Sequence, residues 1–236
     1  MELGGGTSGI EPGAPTMARE ESGFLRRVFA WMFIGLVLTG VVAWIVGSNQ
    51  ALLDAVTGNA ALLIGIFVLQ IAVVLVLVFA LPRIHPTLAA ILFLAYAALV
   101  GFTFAFVFQL YTTQSIFTTF LVTSVMFGSL AAWGAFTDID LSRLGPILFA
   151  ALIGFLVATV VNIFLANSTL YWITTYAGVA IFAGLTAYDM QKLKKISQQG
   201  IQGAEASRMS IFGALSLYLD FINLFLLLLR IFGQNR

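Results

Sequence analysis

Seven apolar runs, each long enough to cross a bilayer and each bounded by polar or helix-breaking residues, constrain this chain more than any other feature of its 236 residues. A spanning helix takes about 20 mainly apolar residues, because each adds about 1.5 Å of rise across about 30 Å of hydrocarbon. The runs extend roughly from Val28 to Gly47, Ala60 to Leu81, Thr87 to Phe108, Ser115 to Phe136, Pro146 to Leu165, Leu170 to Tyr188 and Ser210 to Phe232. Between them lie Gly47-Ser48-Asn49 and Thr57-Gly58-Asn59, Pro82 and Pro86, Thr112-Thr113-Gln114, Thr137-Asp138, Gly145-Pro146, Asn167-Ser168-Thr169 and the stretch from Gln198 to Gly203. The expected fold is an all-α membrane protein, a seven-transmembrane helix bundle filling residues 23–236. Its short connections predict that consecutive helices are antiparallel neighbours. Residues 1–22 are polar, rich in Gly and Pro, and read as a disordered tail without a signal-peptide core. Met17 offers an alternative natural start within that tail.

Composition agrees and removes several functions. The chain is 61% hydrophobic and 9% charged, with a mean hydropathy of +1.04. Water-soluble domains carry about a quarter charged residues. A net charge of +1 leaves no cationic surplus for nucleic acid. The absence of cysteine removes disulfides, thiolate metal sites and a Cys nucleophile, and the single histidine, His85, is a poor basis for a zinc site or a Ser/His pair.

The cations are distributed unequally between alternate loops. Arg19, Arg26, Arg27, Arg83, Arg143, Lys192, Lys194, Lys195 and Arg208 share one side, against Arg230 and Arg236 on the other. The positive-inside rule then puts the N-terminus in the cytoplasm and, with seven spans, the C-terminus outside. A re-entrant seventh segment would instead gather every Lys and Arg on one side, so six spans plus a hairpin is an open alternative.

Of ten acidic residues, eight fall in the tail or loops. The other two, Asp189 near the end of span six and Asp220 half way along span seven, lie in apolar sequence. A charged aspartate at mid-membrane costs roughly 2.5–3.5 kcal/mol, so it faces a protein or water-filled interior or stays protonated. The midpoint of the two falls between Ala204 and Glu205, inside the polar loop. If both helices leave that loop equally, the carboxylates stand side by side, share a proton and titrate as a unit. Gly213, Ser216, Asp220 and Asn223 recur at three- and four-residue steps and form one polar stripe. Thr159 and Asn162 on span five and Gln70 on span two complete the set expected to converge on the bundle axis. The plainer reading of Asn162, Asn223 and Gln70 is interhelical hydrogen bonding. For Asp189 it is pairing with Lys192, for His85 and Arg83 interfacial anchoring, and for Gly178 and Gly184 close helix contact.

The segments Ala187-Tyr188-Asp189-Met190-Gln191-Lys192-Leu193 and Ala214-Leu215-Ser216-Leu217-Tyr218-Leu219-Asp220-Phe221-Ile222-Asn223-Leu224-Phe225 resemble the Bax inhibitor family, prokaryotic branch. The resemblance extends from about Arg26 to Gly233 and takes in Leu152-Ile153-Gly154 and Val161-Asn162-Ile163-Phe164. It implies a seven-helix fold with the last helix central, surrounded by the other six, in a bacterial inner membrane. It also implies a pH-dependent calcium leak with Asp189 and Asp220 as proton sensor, ion path and weak calcium site. Arg83 is then the candidate for a latch onto Asp189, and a membrane-anchored protease is a partner that the family suggests.

Three functions follow as expectations. The first is a calcium leak channel or proton-linked calcium transporter, in which Asp189 and Asp220, supported by Ser216, Asn223, Asn162 and Tyr188, bind the permeant ion weakly. Its partners are the lipid bilayer, calcium and protons, with no tightly bound cofactor and no enzymatic activity. The second is a non-conducting regulator of another membrane protein. The third, an intramembrane aspartyl protease, has the paired aspartates and Tyr188 in its favour, but the sequence before Asp220 lacks a Gly-x-Gly-Asp pattern and no Pro-Ala-Leu follows it.

Overall fold

The computed structural model describes residues 14–80 and 83–234. Eight α-helices and one 3₁₀ turn account for nearly all of them: α1 (Ala14–Ser48), α2 (Gln50–Thr57), α3 (Ala60–Ala80), α4 (Pro86–Leu110), α5 (Thr113–Phe136), the 3₁₀ turn Leu141–Leu144, α6 (Gly145–Leu165), α7 (Ser168–Ser197) and α8 (Gly203–Phe232). Seven of them are long and apolar enough to cross a membrane. Helix starts follow side-chain caps. The side chains of Asn49, Thr112 and Asn167 accept amides of α2, α5 and α7, while Pro86 opens α4 behind His85.

Three expectations change. Helix α1 reaches back to Ala14, so residues 14–22 of the expected tail are helical. The stretch Ala14-Pro15-Thr16-Met17-Ala18-Arg19-Glu20-Glu21 places a proline in the first turn ahead of good helix formers. The tail's first thirteen residues, and Leu81 and Pro82, lie outside the described residues. Helix α8 is continuous, and its far end is tied to the α4–α5 turn: the Gln234 amide donates to Ser115 Oγ at 2.8 Å and its carbonyl accepts the Thr112 amide at 3.1 Å. The seventh segment therefore crosses completely, and the hairpin alternative falls. Nor are all consecutive helices neighbours. Helix α1 packs most extensively on α4, and α5 on α7, whereas α4 and α5 meet only sparsely.

Small residues explain the pairing. A Cβ on Gly101 would strike Val42 and the Thr39 carbonyl of α1, and one on Gly134 would strike the Ala187 backbone of α7. Backbones approach closely at such positions. Between α4 and α5, Phe225 of α8 inserts, stacked on Phe104 with ring centroids 5.9 Å apart and edge-on to Phe120 at 6.4 Å.

Helix α8 is the core. Its buried residues, from Ala206 to Leu229, take up most of its circumference and leave one half-buried stripe through Phe212, Ser216, Leu219, Asn223 and Leu226, and it packs chiefly on α1, α4, α5 and α7. The last helix is central, as the resemblance implies, but the inner ring has four members rather than six. Helices α3 and α6 stand outside it, packed on α4 and α7. They are also the most apolar spans, and a helix that is apolar all round suits a lipid-facing position.

Candidate functional site

The α7–α8 hairpin sets the register of the site. Asp189 lies opposite Ser216, whose Oγ donates to its Oδ2 at 2.6 Å. Leu193 lies against Gly213, and Gly178 against Leu227. These pairs straddle Gln202–Gly203 rather than the later midpoint that a symmetric loop would give, because α8 begins immediately at Gly203. Asp189 is therefore level with Ser216, and Asp220 lies one helical turn deeper, about 6 Å along the axis for four residues. The carboxyls are staggered, with Ser216 between them on the Asp220 face of α8.

The two carboxyls differ in environment. Asp189 is half-buried near the end of α7 where the cations gather, within electrostatic reach of Lys192. Lys192 itself sits over the Phe212 ring, 5.8 Å from its centroid. Asp220 is 5% exposed, and its Oδ2 is buried with no hydrogen-bond partner. A buried acceptor left unpaired costs about 1–3 kcal/mol, so this oxygen is where the bundle gives up stability. Asp189 lies close enough to act on Asp220 through charge.

Beyond Asp220 the axis closes. Phe221 meets Phe120 and Phe127 edge-on, with centroids 5.5 and 5.4 Å apart, and the Phe104–Phe225–Phe120 cluster follows one turn on. On the side of α1 and α4, fully buried Tyr218 shares a 2.7 Å hydrogen bond with Thr39 Oγ1, which donates to the Ala97 carbonyl at 2.8 Å. Sequence spacing did not point to this three-helix link, because Tyr218, two residues before Asp220, lies off the Ser216–Asp220–Asn223 stripe.

The remaining residues disperse. The Asn223 Nδ2 donates to Leu219 O of its own helix. Asn162 and Thr159 sit at the far end of α6, where Asn162 Oδ1 accepts the Asn167 amide at 3.1 Å, so neither joins the axis. Gln70 binds Leu99 O and Thr103 Oγ1 of α4, holding α3 in place. Tyr188 packs its hydroxyl against Gly145 at the start of α6, about a third of a turn away from Asp189. Arg83 is exposed after α3 and is not brought to Asp189; among the described residues the only ion pair is Lys195–Asp140, at 2.7 Å. His85 caps α4 by accepting the Thr87 amide. Gly178 and Gly184 are close contacts, against Phe155 and Leu227 and against Leu148 respectively. No group of three or more His, Asp or Glu able to hold a metal occurs among the described residues.

The end that bears Asp189 is a built structure. Gln191 of α7 accepts the Leu141 amide at 2.9 Å and donates to the Ile139 carbonyl at 2.8 Å, while Lys194 Nζ donates to the Ala135 carbonyl at 2.7 Å. The α5–α6 connection is thereby clasped to α7. At this exposed corner Lys195 and Ser142 hold the Asp140 carboxyl down at about 2.

Comparison with known proteins places this architecture. The profile of the family described as "Inhibitor of apoptosis-promoting Bax1" matches residues 21–236. The inner membrane protein YbhL of Escherichia coli is 45% identical over 216 residues, covering 90% of this chain and 92% of its own. An uncharacterized protein of Deinococcus radiodurans is 41% identical over 213 residues, covering 90% of each chain. An uncharacterized membrane protein of Streptococcus pyogenes is 33% identical over 214 residues, covering 90% of this chain and 93% of its own. Since the profile runs through all seven spans, this chain belongs to the Bax inhibitor family of membrane proteins.

Proposed function

We propose that the chain is a pH-sensitive calcium leak pathway of the bacterial inner membrane, with Asp189 and Asp220 as a staggered proton-sensitive pair. The observation that carries this reading is the partnerless Oδ2 of Asp220, buried in the centre of the bundle one turn from Asp189 and Ser216. An ionisable group at that depth is a poor choice for holding helices together, where Asn or Ser would serve. Two carboxyls with a hydroxyl between them offer oxygen ligands to a hard cation without caging it, as conduction requires. Calcium is then cargo rather than a resident ligand, and the protein catalyses no reaction.

On this reading the phenylalanines beyond Asp220 form the closed gate. Protonation changes the charge that Asp189 and Asp220 present to each other and hence the α7–α8 contact through Ser216. Asp189 opens toward the cation-rich end, which we assign to the cytoplasm with the N-terminus.

The test is calcium flux into liposomes that contain the purified protein, from about pH 5.5 to about 8. Wild type should give protein-dependent flux whose pH response is lost in Asp220→Asn and in Asp189→Asn, and Phe225→Ala should raise the basal leak. Wild-type vesicles no leakier than empty ones at every pH would leave the family's other implied role, regulation of a membrane-anchored protease, as the better reading.

A further inference from the structure

We infer that the bundle holds one anionic phospholipid, its acyl chain seated in a lateral groove between α1 and α5 and its headgroup on Lys194. The groove measures about 620 Å³ and opens sideways at the cation-rich end. Phe29 and Met32 of α1 form one wall and Gly128 and Ala132 of α5 the other, with Met190 and Phe221 at the floor. All of these lie within membrane-spanning helices, so the fluid against the groove is hydrocarbon, and a cleft of this size is filled by whatever that fluid supplies. Its lining is apolar except for Ser124 and Lys194.

Lys194 decides the class of lipid. Its ammonium is half-buried and spends one donor on the Ala135 carbonyl. It lies over the Phe136 ring, 5.9 Å from the centroid, and has no carboxylate partner. Two donors therefore remain at the mouth of an apolar slot, in a corner shared with Asp138, Asp140 and Lys195, where Asp140 is already paired with Lys195. Charge complementarity selects phosphatidylglycerol over a zwitterionic lipid of the same chains. The floor residues Met190 and Phe221 directly follow Asp189 and Asp220 in sequence, so a seated chain also packs the wall behind the carboxyl pair. The inference does not depend on whether the bundle conducts.

Gly128 makes a clean test, since a Cβ there meets nothing within 4 Å. Gly128→Phe places a ring in the slot from a position whose Cβ meets no neighbour, and Lys194→Gln removes the charge while leaving an amide donor on the same helix face. The full-length protein in detergent is titrated with phosphatidylglycerol and with phosphatidylcholine of identical chains, and bound lipid is counted by native mass spectrometry. Wild type should retain one phosphatidylglycerol with about a fivefold preference, the worth of one cation near a lipid phosphate. Lys194→Gln should bind both lipids equally, and Gly128→Phe neither. Ala132→Leu, a smaller filling of the same slot, should weaken both if Gly128→Phe does not fold. Undiminished phosphatidylglycerol binding in whichever slot-filling variant folds would overturn the inference, as would a preference that survives Lys194→Gln. So would a wild-type dimer that the slot-filling variants dissociate, since a second copy would then be the occupant.

Discussion

Asp220 carries a cost that a purely structural core would not tolerate. Replacing it with Leu removes the buried, partnerless oxygen, and thermal denaturation in detergent should show a gain of about 1–3 kcal/mol. Asn is nearly the same size but keeps a polar group in need of partners, so it should show little gain. A residue whose replacement strengthens the fold while abolishing the proposed pH response would be one retained for function. Tyr218, two positions earlier, should behave in the opposite way. Tyr218→Phe loses the hydrogen bond to Thr39 and should cost about 1 kcal/mol. Combined with Thr39→Val, the loss should fall short of the sum of the single losses, because one hydrogen bond is shared.

Helix contacts rest on where backbones can approach. Gly134→Leu drives a side chain into the Ala187 backbone at the α5–α7 crossing, and overpacking of that kind costs about 1–3 kcal/mol or more. Gly128→Leu, on the same helix in open space, should be close to neutral in the same melt. The α5–α6 connection has its own pH dependence. Lys195, then Ser142, lowers the Asp140 carboxyl to about 2, below its unfolded value of about 4. The tie is therefore complete above about pH 4 and is lost as pH falls through about 2. Hydrogen exchange at the Ser142 amide, which donates to Asp140 Oδ1 at 3.2 Å, should quicken over that interval in wild type. Asp140→Asn should be fast and pH-independent beyond the intrinsic rate. Because the pair is exposed, the effect belongs to the loop and not to the bundle.

The elements themselves were readable because lipid imposes a length: all seven spans lie where apolar runs of about twenty residues predicted them. The Lys-rich end of α7, continuing to Ser197, and the short α2 between Asn49 and Gly58 were not readable, since polar and eight-residue segments look like loops. Which helix faces which was hidden for a different reason. In a membrane both the core and the lipid-facing surface are apolar, so the periodicity that orients a soluble helix is absent. Asp189, Ser216 and Asp220 stood out by charge and spacing, and the structure brings them together. Their stagger did not, because it depends on where α8 starts. Asn162 looked equally telling but spends its side chain on the turn after α6.

Seen whole, the molecule is polarised, with cations at the end that holds Asp189 and Arg230 at the other. The protein has no native cysteine, so single cysteines report sidedness cleanly. Gln199→Cys in the α7–α8 loop should resist a membrane-impermeant maleimide in intact cells and react after lysis, whereas Gln114→Cys at the start of α5 should react in both. The reverse pattern would invert the assigned topology.

The central helix is also the last of these seven spans to be made. As the chain leaves the ribosome, α1, α4, α5 and α7 enter the bilayer before the helix that will fill the space between them exists, and α1 and α4 can meet early. Asp220 arrives in the final segment, so its carboxyl need not rest alone in lipid if a slot already holding Ser216's partner on α7 and the Thr39 hydroxyl on α1 is waiting. Biogenesis thus has a natural checkpoint. A chain stopped before Gly203 would carry the surrounding helices with their inward faces uncovered, and would present to the membrane's quality-control proteases an open ring where the completed chain presents a filled one.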